Sequence, residues 1–428
     1  MTVNRRNFLL RSAATLGAGG LAGVAVADLA GADARAASAT DPALSAGGSA
    51  VDPTLATRLP FDGTHQSGVI TPKGAQATFA ALDAIAPDTA HLLQALQALS
   101  IRARALTQGA VLPLQEVDEP PADSGTLGTT IPPDALTITI GFGASLFDDR
   151  YGLKRRKPVH LVAMEPFAND DLDPARTHGD VLLQISAGQR DTVVHALREL
   201  LRPVRDAFAL RWTIDGFESG RRGPRGRSSP RNLFGFRDGT ANPDVNDAAL
   251  MRQLVWTDPA DGSGEPAWAT GGTYQVVRTI RMHVEFWDRV GLREQEGMIG
   301  RTRDAGAPLG GRDEYDDPRL DVDPRGDRIP LDAHIRLANP RTPATDDQRI
   351  VRRGYNYHRG FDAAGQLDQG LVFVAFNRDP LRQFATIQRR LDEEPMVDYI
   401  TPVGGGYFFV PPAASGEADF VGSGLFRA

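Results

Sequence analysis

The sequence has no cysteine in 428 residues. That excludes disulfides, thiolate metal sites, iron–sulfur clusters and the CxxCH attachment of a c-type haem, leaving non-covalent binding as the only route to a haem. An excess of positive charge is also missing. The formal net charge is −7. Residues 1–36 carry Arg5, Arg6, Arg11 and Arg35 against Asp28 and Asp33, which leaves −9 on the remainder. Nucleic acid calls for a basic surface, so it is not expected as a partner. One basic run, Arg221, Arg222, Arg225, Arg227 and Arg231, sits among Gly, Ser and Pro and reads as a solvated loop. A long apolar run is lacking too. The only N-terminal stretch of that kind is short, mildly hydrophobic and carries Asp28, so no stable membrane anchor is expected.

What is present begins at that N-terminus. Arg5 and Arg6 precede Phe8-Leu9-Leu10, an Ala/Gly-rich stretch runs from Ala13 to Ala27, and Ala34-Arg35-Ala36 offers small residues at a cleavage-like site. The form is that of a twin-arginine signal over residues 1–36. It implies export of a folded protein to a periplasm or the outside of the cell, and it suits a chain that acquires a cofactor first. Residues 37–57 are rich in Ala, Ser, Gly and Pro and read as a flexible linker.

The rest is long enough for two core-bearing domains, with 41% hydrophobic and 24% charged residues, an ordinary globular balance. Both halves show the same order, β-α-β-β-α-β. In the first, Ser67–Thr71 reads as a short strand and Ala75 to Leu106 as one apolar-periodic helical stretch. Strands are expected over Leu136–Phe142, Asp180–Ser186 and Ala209–Ile214, with a helix from Val193 to Phe208. In the second, strands are expected over Tyr274–Met282, Arg352–Tyr357, Gly370–Phe376 and Gly406–Pro411. Helices are expected over Phe286–Arg301 and Pro380–Leu391. The fold class is α+β: two ferredoxin-like domains in tandem, antiparallel sheets with helices on one face, over residues 58–225 and 226–428. The polar segment from Thr302 to Pro330 is a loop of a length that usually serves function.

Three segments carry candidate chemistry. In Gly235-Phe236-Arg237-Asp238-Gly239, two glycines flank an acid, a pattern that brings backbone and carboxylate close to a ligand. His334 stands in Asp332-Ala-His-Ile-Arg-Leu-Ala-Asn-Pro-Arg341, a polar stretch that breaks at Asn339-Pro340. Arg352 and Arg353 open a probable strand. Taken singly, each has a bland reading: an Asp-Gly turn, a structural histidine, a solvent-facing pair.

Taken together, they resemble the dye-decolourising peroxidase family, and most closely its exported deferrochelatase/peroxidase branch of bacterial iron uptake. The likeness runs from about Gln66 to Phe426. It rests on those segments, on Arg281-Met-His-Val-Glu-Phe-Trp-Asp288 and on Gly404-Gly-Gly-Tyr-Phe-Phe409. The resemblance implies one non-covalent haem b in the C-terminal domain, with His334 as the proximal iron ligand. It implies Asp238 and Arg352 as the catalytic distal pair, and Gly239, Thr240, Ala241, Asn339, Pro340 and Arg341 along the haem. Asp398 is the candidate carboxylate behind His334.

The residue types suit that assignment. Neutral imidazole is a good iron ligand once an acceptor fixes its second nitrogen. Cleaving hydrogen peroxide needs a base to take one proton and an acid to return it to the leaving oxygen. Asp238 is expected to do both, while Arg352 offsets the developing charge. The expected reaction is peroxide reduction coupled to oxidation of an aromatic or porphyrin donor. Iron release from haem with intact porphyrin is the alternative, and a non-enzymatic haem carrier a third. Trp212, Trp256, Trp268, Trp287, Tyr355 and Tyr357 are candidate electron relays to bulky donors. A homo-oligomer and components of an iron-uptake system are the expected partners.

Overall fold

The computed structural model describes residues 52–112, 118–220 and 229–427. The signal, residues 37–51 of the linker, and Arg221, Arg222, Arg225 and Arg227 lie outside the described residues. The last linker residues are not extended: Pro53–Ala56 form a 3-10 turn capped by Asp52, whose carboxylate accepts from the Thr54 amide at 2.9 Å.

In the first half, strand β1 (Gln76–Ala84) precedes helix α1 (Thr89–Gln108). A short pair, β2 (Ala110–Val111) and β3 (Thr130–Ile131), leads to β4 (Thr137–Gly143), β5 (Val181–Ala187), α2 (Arg190–Leu201) and β6 (Phe208–Phe217). After α3 (Ala248–Leu254), the second half runs β7 (Thr273–Met282), α4 (Val284–Trp287), α5 (Leu292–Ile299) and α6 (His334–Ala338). It continues with β8 (Val351–Arg352), β9 (Tyr355–Phe361), β10 (Leu367–Asn377), α7 (Thr386–Arg390) and β11 (Ile400–Val410). The antiparallel orders β4-β5-β1-β6 and β9-β10-β7-β11 are those of two ferredoxin-like units.

The sheets also meet. Phe408 and Phe409 of β11 pair with Gly143 and Phe142 of β4, and Phe217 of β6 pairs with Asn356 of β9. Between the seams, the inner faces share one core: Phe79, Leu182, Trp212 and Ile214 from the first half pack with Val277, Tyr357, Val374 and Phe376 from the second. On the outer face of the first sheet, Leu82, Leu183 and Ile185 pack on Leu92, Leu96 and Leu99 of α1. Each fully buried Leu or Phe contributes about 1.5–3 kcal/mol.

This layering explains where the sequence misleads. Residues 76–84 form a strand, not the start of a helix. Both faces of β1 are covered, so Phe79, Ala80, Ala81 and Leu82 are all sealed and no alternation marks the strand. Ser67–Thr71 is a turn, with the Ser67 carbonyl accepting from the Thr139 hydroxyl at 2.7 Å. The helix expected over Phe286–Arg301 breaks into α4 and α5 before Gly291. That over Pro380–Leu391 opens with a π turn, Leu381–Ala385, before α7. The strand expected over Arg352–Tyr357 is interrupted after Arg352, and β8 and β9 pair with different stretches of β10.

Candidate functional site

The outer face of the second sheet does not pack tightly on its helices. It leaves a cleft holding about 1590 Å³ of space, the open mouth included. Ile280 and Met282 of β7 with Leu371 and Phe373 of β10 form its floor. Phe384, Ile387 and Leu391 come from the π turn and α7, and Ile299 from α5. The walls are mainly apolar, and a few polar groups converge on the space, as in ligand sites.

His334 enters the cleft from the first residue of α6. Its Nδ1 lies 2.7 Å from Oε2 of Glu394, whose side chain is 2% exposed. Burial works against a charged imidazole, but the Glu394 charge and hydrogen bond outweigh it and raise the His334 pKa above its ordinary value. With Nδ1 engaged, Nε2 is the nitrogen left to coordinate. The short helix is held at its middle and at its C-terminal end. Arg390 donates to the Leu337 carbonyl at 2.9 Å, satisfying a C-terminal orphan, and Arg336 donates to Asp323 at 2.8 Å. Asp398, the carboxylate expected behind His334, is exposed and does not line the cleft. Glu394, the residue that opens the 3-10 turn Pro395–Tyr399, takes that place. The Glu393-Glu394-Pro395 sequence was the available signal.

Asp238 lines the same cleft and is paired with Arg352, Nη2 to Oδ1 at 2.9 Å. The loop carrying Asp238 turns through Gly235 (φ +86°) and Gly239 (φ +93°), conformations that side chains disfavour. Asn232 accepts from the Phe234 and Phe236 amides at 3.1 Å each. Asn242, which sequence reasoning missed, grips the backbone of Arg352: its Nδ2 donates to the Arg352 carbonyl at 2.7 Å and its Oδ1 accepts from the Arg352 amide at 3.0 Å. Arg231 is not a solvated loop residue. It donates to the carbonyls of Gly235 and Asp304, both at 2.7 Å.

The Thr302–Pro330 segment braces both sides of the cleft. Its buried Glu314 accepts from the Thr240 hydroxyl at 2.8 Å and the Ser229 amide at 3.1 Å, beneath the Asp238 loop. Asp323 holds α6 through Arg336. Gly239, Thr240, Ala241, Asn339 and Arg341 line the cleft, and Pro340 does not. Arg341 is held at φ +57°, a disfavoured conformation that tends to occur at functional sites.

Of the six aromatic candidates, Trp287 packs on the cleft wall: it stacks on Phe234 at 4.4 Å between ring centres and meets Tyr399 at 5.3 Å. Trp212, Trp256, Trp268 and Tyr357 are committed to packing or hydrogen bonds elsewhere. Tyr355 bonds Ser186 at 2.9 Å. A buried trio of Asp123, His195 and Glu199 lies apart from the cleft in the first half, where Arg102 and Arg202 already neutralise its carboxylates.

Duplicated ferredoxin-like halves, the second bearing a cleft with an acid-backed imidazole and an acid–arginine pair on its walls, define an enzyme of the peroxidase kind. Residues 66–218 match the N-terminal domain model of Dyp-type peroxidases and residues 229–415 the C-terminal one. The chain belongs to the dye-decolourising peroxidase family. It is 47% identical to a deferrochelatase of Escherichia coli, over 86% of this chain and 88% of that protein. A deferrochelatase of Yersinia pestis bv. Antiqua is 45% identical, over 87% and 85%. Among solved structures, a DyP-type peroxidase from Cellulomonas bogoriensis is similar at 36% identity with a TM-score of 0.77, covering 88% of this chain and all of that one. Ferric DtpA from Streptomyces lividans is similar at 34% identity and a TM-score of 0.78, covering 89% of this chain and all of that one.

Proposed function

We propose that the chain binds one haem b non-covalently and releases its iron, leaving the porphyrin intact. The observation that carries this reading is the 45–47% identity to deferrochelatases over 85–88% of their length. The cleft suits the ligand: apolar walls for the ring, Nε2 of His334 for the iron, and Asn339 and Arg341 as polar contacts for the acidic edge. Bound haem supplies the iron and its redox chemistry. Removing that iron requires two protons to take its place on the pyrrole nitrogens. Asp238 is the carboxyl placed to pass them, with Arg352 holding it in position.

Peroxide reduction coupled to oxidation of an aromatic or porphyrin donor is the second reading. It is favoured by the 2.9 Å Asp238–Arg352 pair on the cleft wall. Asp238 takes a proton from hydrogen peroxide and returns it to the leaving oxygen, and Arg352 offsets the negative charge. For donors too bulky for the cleft, Trp287 is the proposed relay. The Arg5-Arg6 signal supports export by the twin-arginine route, to a periplasm or outside the cell, beside iron-uptake components. Product analysis after incubating the haem-loaded protein with and without hydrogen peroxide separates the readings. Fluorescent metal-free protoporphyrin supports iron release; oxidised donor over intact haem supports the peroxidase. No Soret band on reconstitution defeats both.

A further inference from the structure

A second, polar cavity opens beyond Asp238 and Arg352, which line both spaces. Four basic and two acidic side chains face it: Lys73, Arg231, Arg352 and Arg353 against Glu218 and Asp238. Two of the basic groups have acidic partners, Lys73 with Glu218 at 3.2 Å and Arg352 with Asp238 at 2.9 Å. Arg231 is spent on backbone carbonyls, which carry no full charge. Arg353 is different. Its amide donates to the Val374 carbonyl, but among the described residues its guanidinium makes no hydrogen bond or ion pair. It is only partly exposed, and burial lowers its pKa. Consecutive side chains of an unbroken strand point to opposite faces, and the interruption between β8 and β9 leaves both Arg352 and Arg353 facing the polar cavity. Arg352 reaches both, whereas Arg353 lines the polar one alone.

An unpaired guanidinium inside a protein lacks compensation, and its planar fork matches the two oxygens of a carboxylate. We propose that Arg353 forms a carboxylate-binding subsite beside the Asp238–Arg352 pair. Two sources carry that chemistry. One is a propionate of a haem in the main cleft, which rests on the function proposed above. The other is a free aromatic acid reaching the cavity from solvent, which does not.

The test uses Arg353→Gln with two probes. In the first arm, haem and its dimethyl ester are titrated into wild type and variant, read by Soret absorbance. A propionate in the subsite makes R353Q bind haem roughly tenfold to hundredfold more weakly, the range of a lost charge-assisted hydrogen bond, with no change for the ester. In the second arm, benzoate is titrated calorimetrically into haem-free and haem-loaded protein. A free acid in the subsite makes R353Q lose benzoate affinity by a similar factor, with haem affinity unchanged. If R353Q leaves both probes unchanged while melting like the wild type, the subsite is disproved. If R353Q does not fold, Arg353→Lys carries the test, keeping the charge but losing the fork; several-fold weakening is then expected, and none overturns the idea. If the wild type binds no haem, the benzoate arm alone decides, so failure of the haem reading and failure of the subsite remain distinct.

Discussion

The imidazole of His334 and the carboxylate of Glu394 stand 60 residues apart in the chain and 2.7 Å apart in space. The pair raises the pKa of His334. A raised histidine pKa stabilises the fold fully below the ordinary value of about 6.5. That contribution is lost as pH rises through the higher folded value. The melting temperature of the haem-free protein should therefore fall as pH rises past the ordinary histidine value. Glu394→Gln should flatten that fall and weaken haem affinity about 10–100-fold, as loss of a partner behind a metal ligand does. An E394Q melting profile parallel to the wild type would break the link.

Asp238 and Arg352 predict a split between binding and turnover. Asp238→Asn should keep haem affinity within about twofold and lower peroxide turnover about 10²–10⁴-fold, the usual reach of a general acid–base. Arg352→Leu should cost about 10²–10³-fold. Stopped-flow rates of the variants and the wild type check this; a D238N protein as fast as the wild type would count against a carboxylate shuttle.

Asn242 acts through Arg352 and should behave as a positioning residue. Asn242→Ala removes both backbone contacts and is expected to lower turnover about tenfold, with the haem spectrum and affinity unchanged. Asn242→Asp keeps the acceptor for the Arg352 amide and should recover part of the loss. Equal rates for N242A and wild type at saturating peroxide would show that β8 holds Arg352 unaided.

Arg278 and Asp170 form an ion pair sealed beneath Phe167 and Phe384 at the cleft wall. Asp170→Asn leaves the guanidinium buried and uncompensated, which should cost about 3–5 kcal/mol. The double change Asp170→Leu with Arg278→Met should cost clearly less. Urea unfolding of both variants checks the order; a D170N protein as stable as the wild type would mean that solvent reaches the pair.

Much of this was legible in the sequence. The repeated β-α-β-β-α-β order emerges from periodicity and punctuation, and the joint setting of Asp238, His334 and Arg352 from the family resemblance. What escaped has physical reasons. β1 is covered on both faces, so Phe79 to Leu82 carry no strand signature. Glu394, Asn242 and Glu314 are single polar residues whose importance comes from partners 60, 110 and 74 positions away. No local pattern encodes such distances, and the expectation placed Asp398 behind His334 where Glu394 stands.

The core that Phe79 and Trp212 share with Tyr357 and Phe376 makes the duplication inseparable. Each half looks like a module, yet one face of its sheet is finished only by the other. A gene fragment encoding residues 226–428 contains His334, Asp238, Arg352 and Glu394, but its product would present Tyr357, Val374 and Phe376 to water. Such a fragment should aggregate when produced alone and become soluble when co-expressed with residues 52–225. The first half thus serves as a permanent folding partner for the half that carries His334 and Asp238.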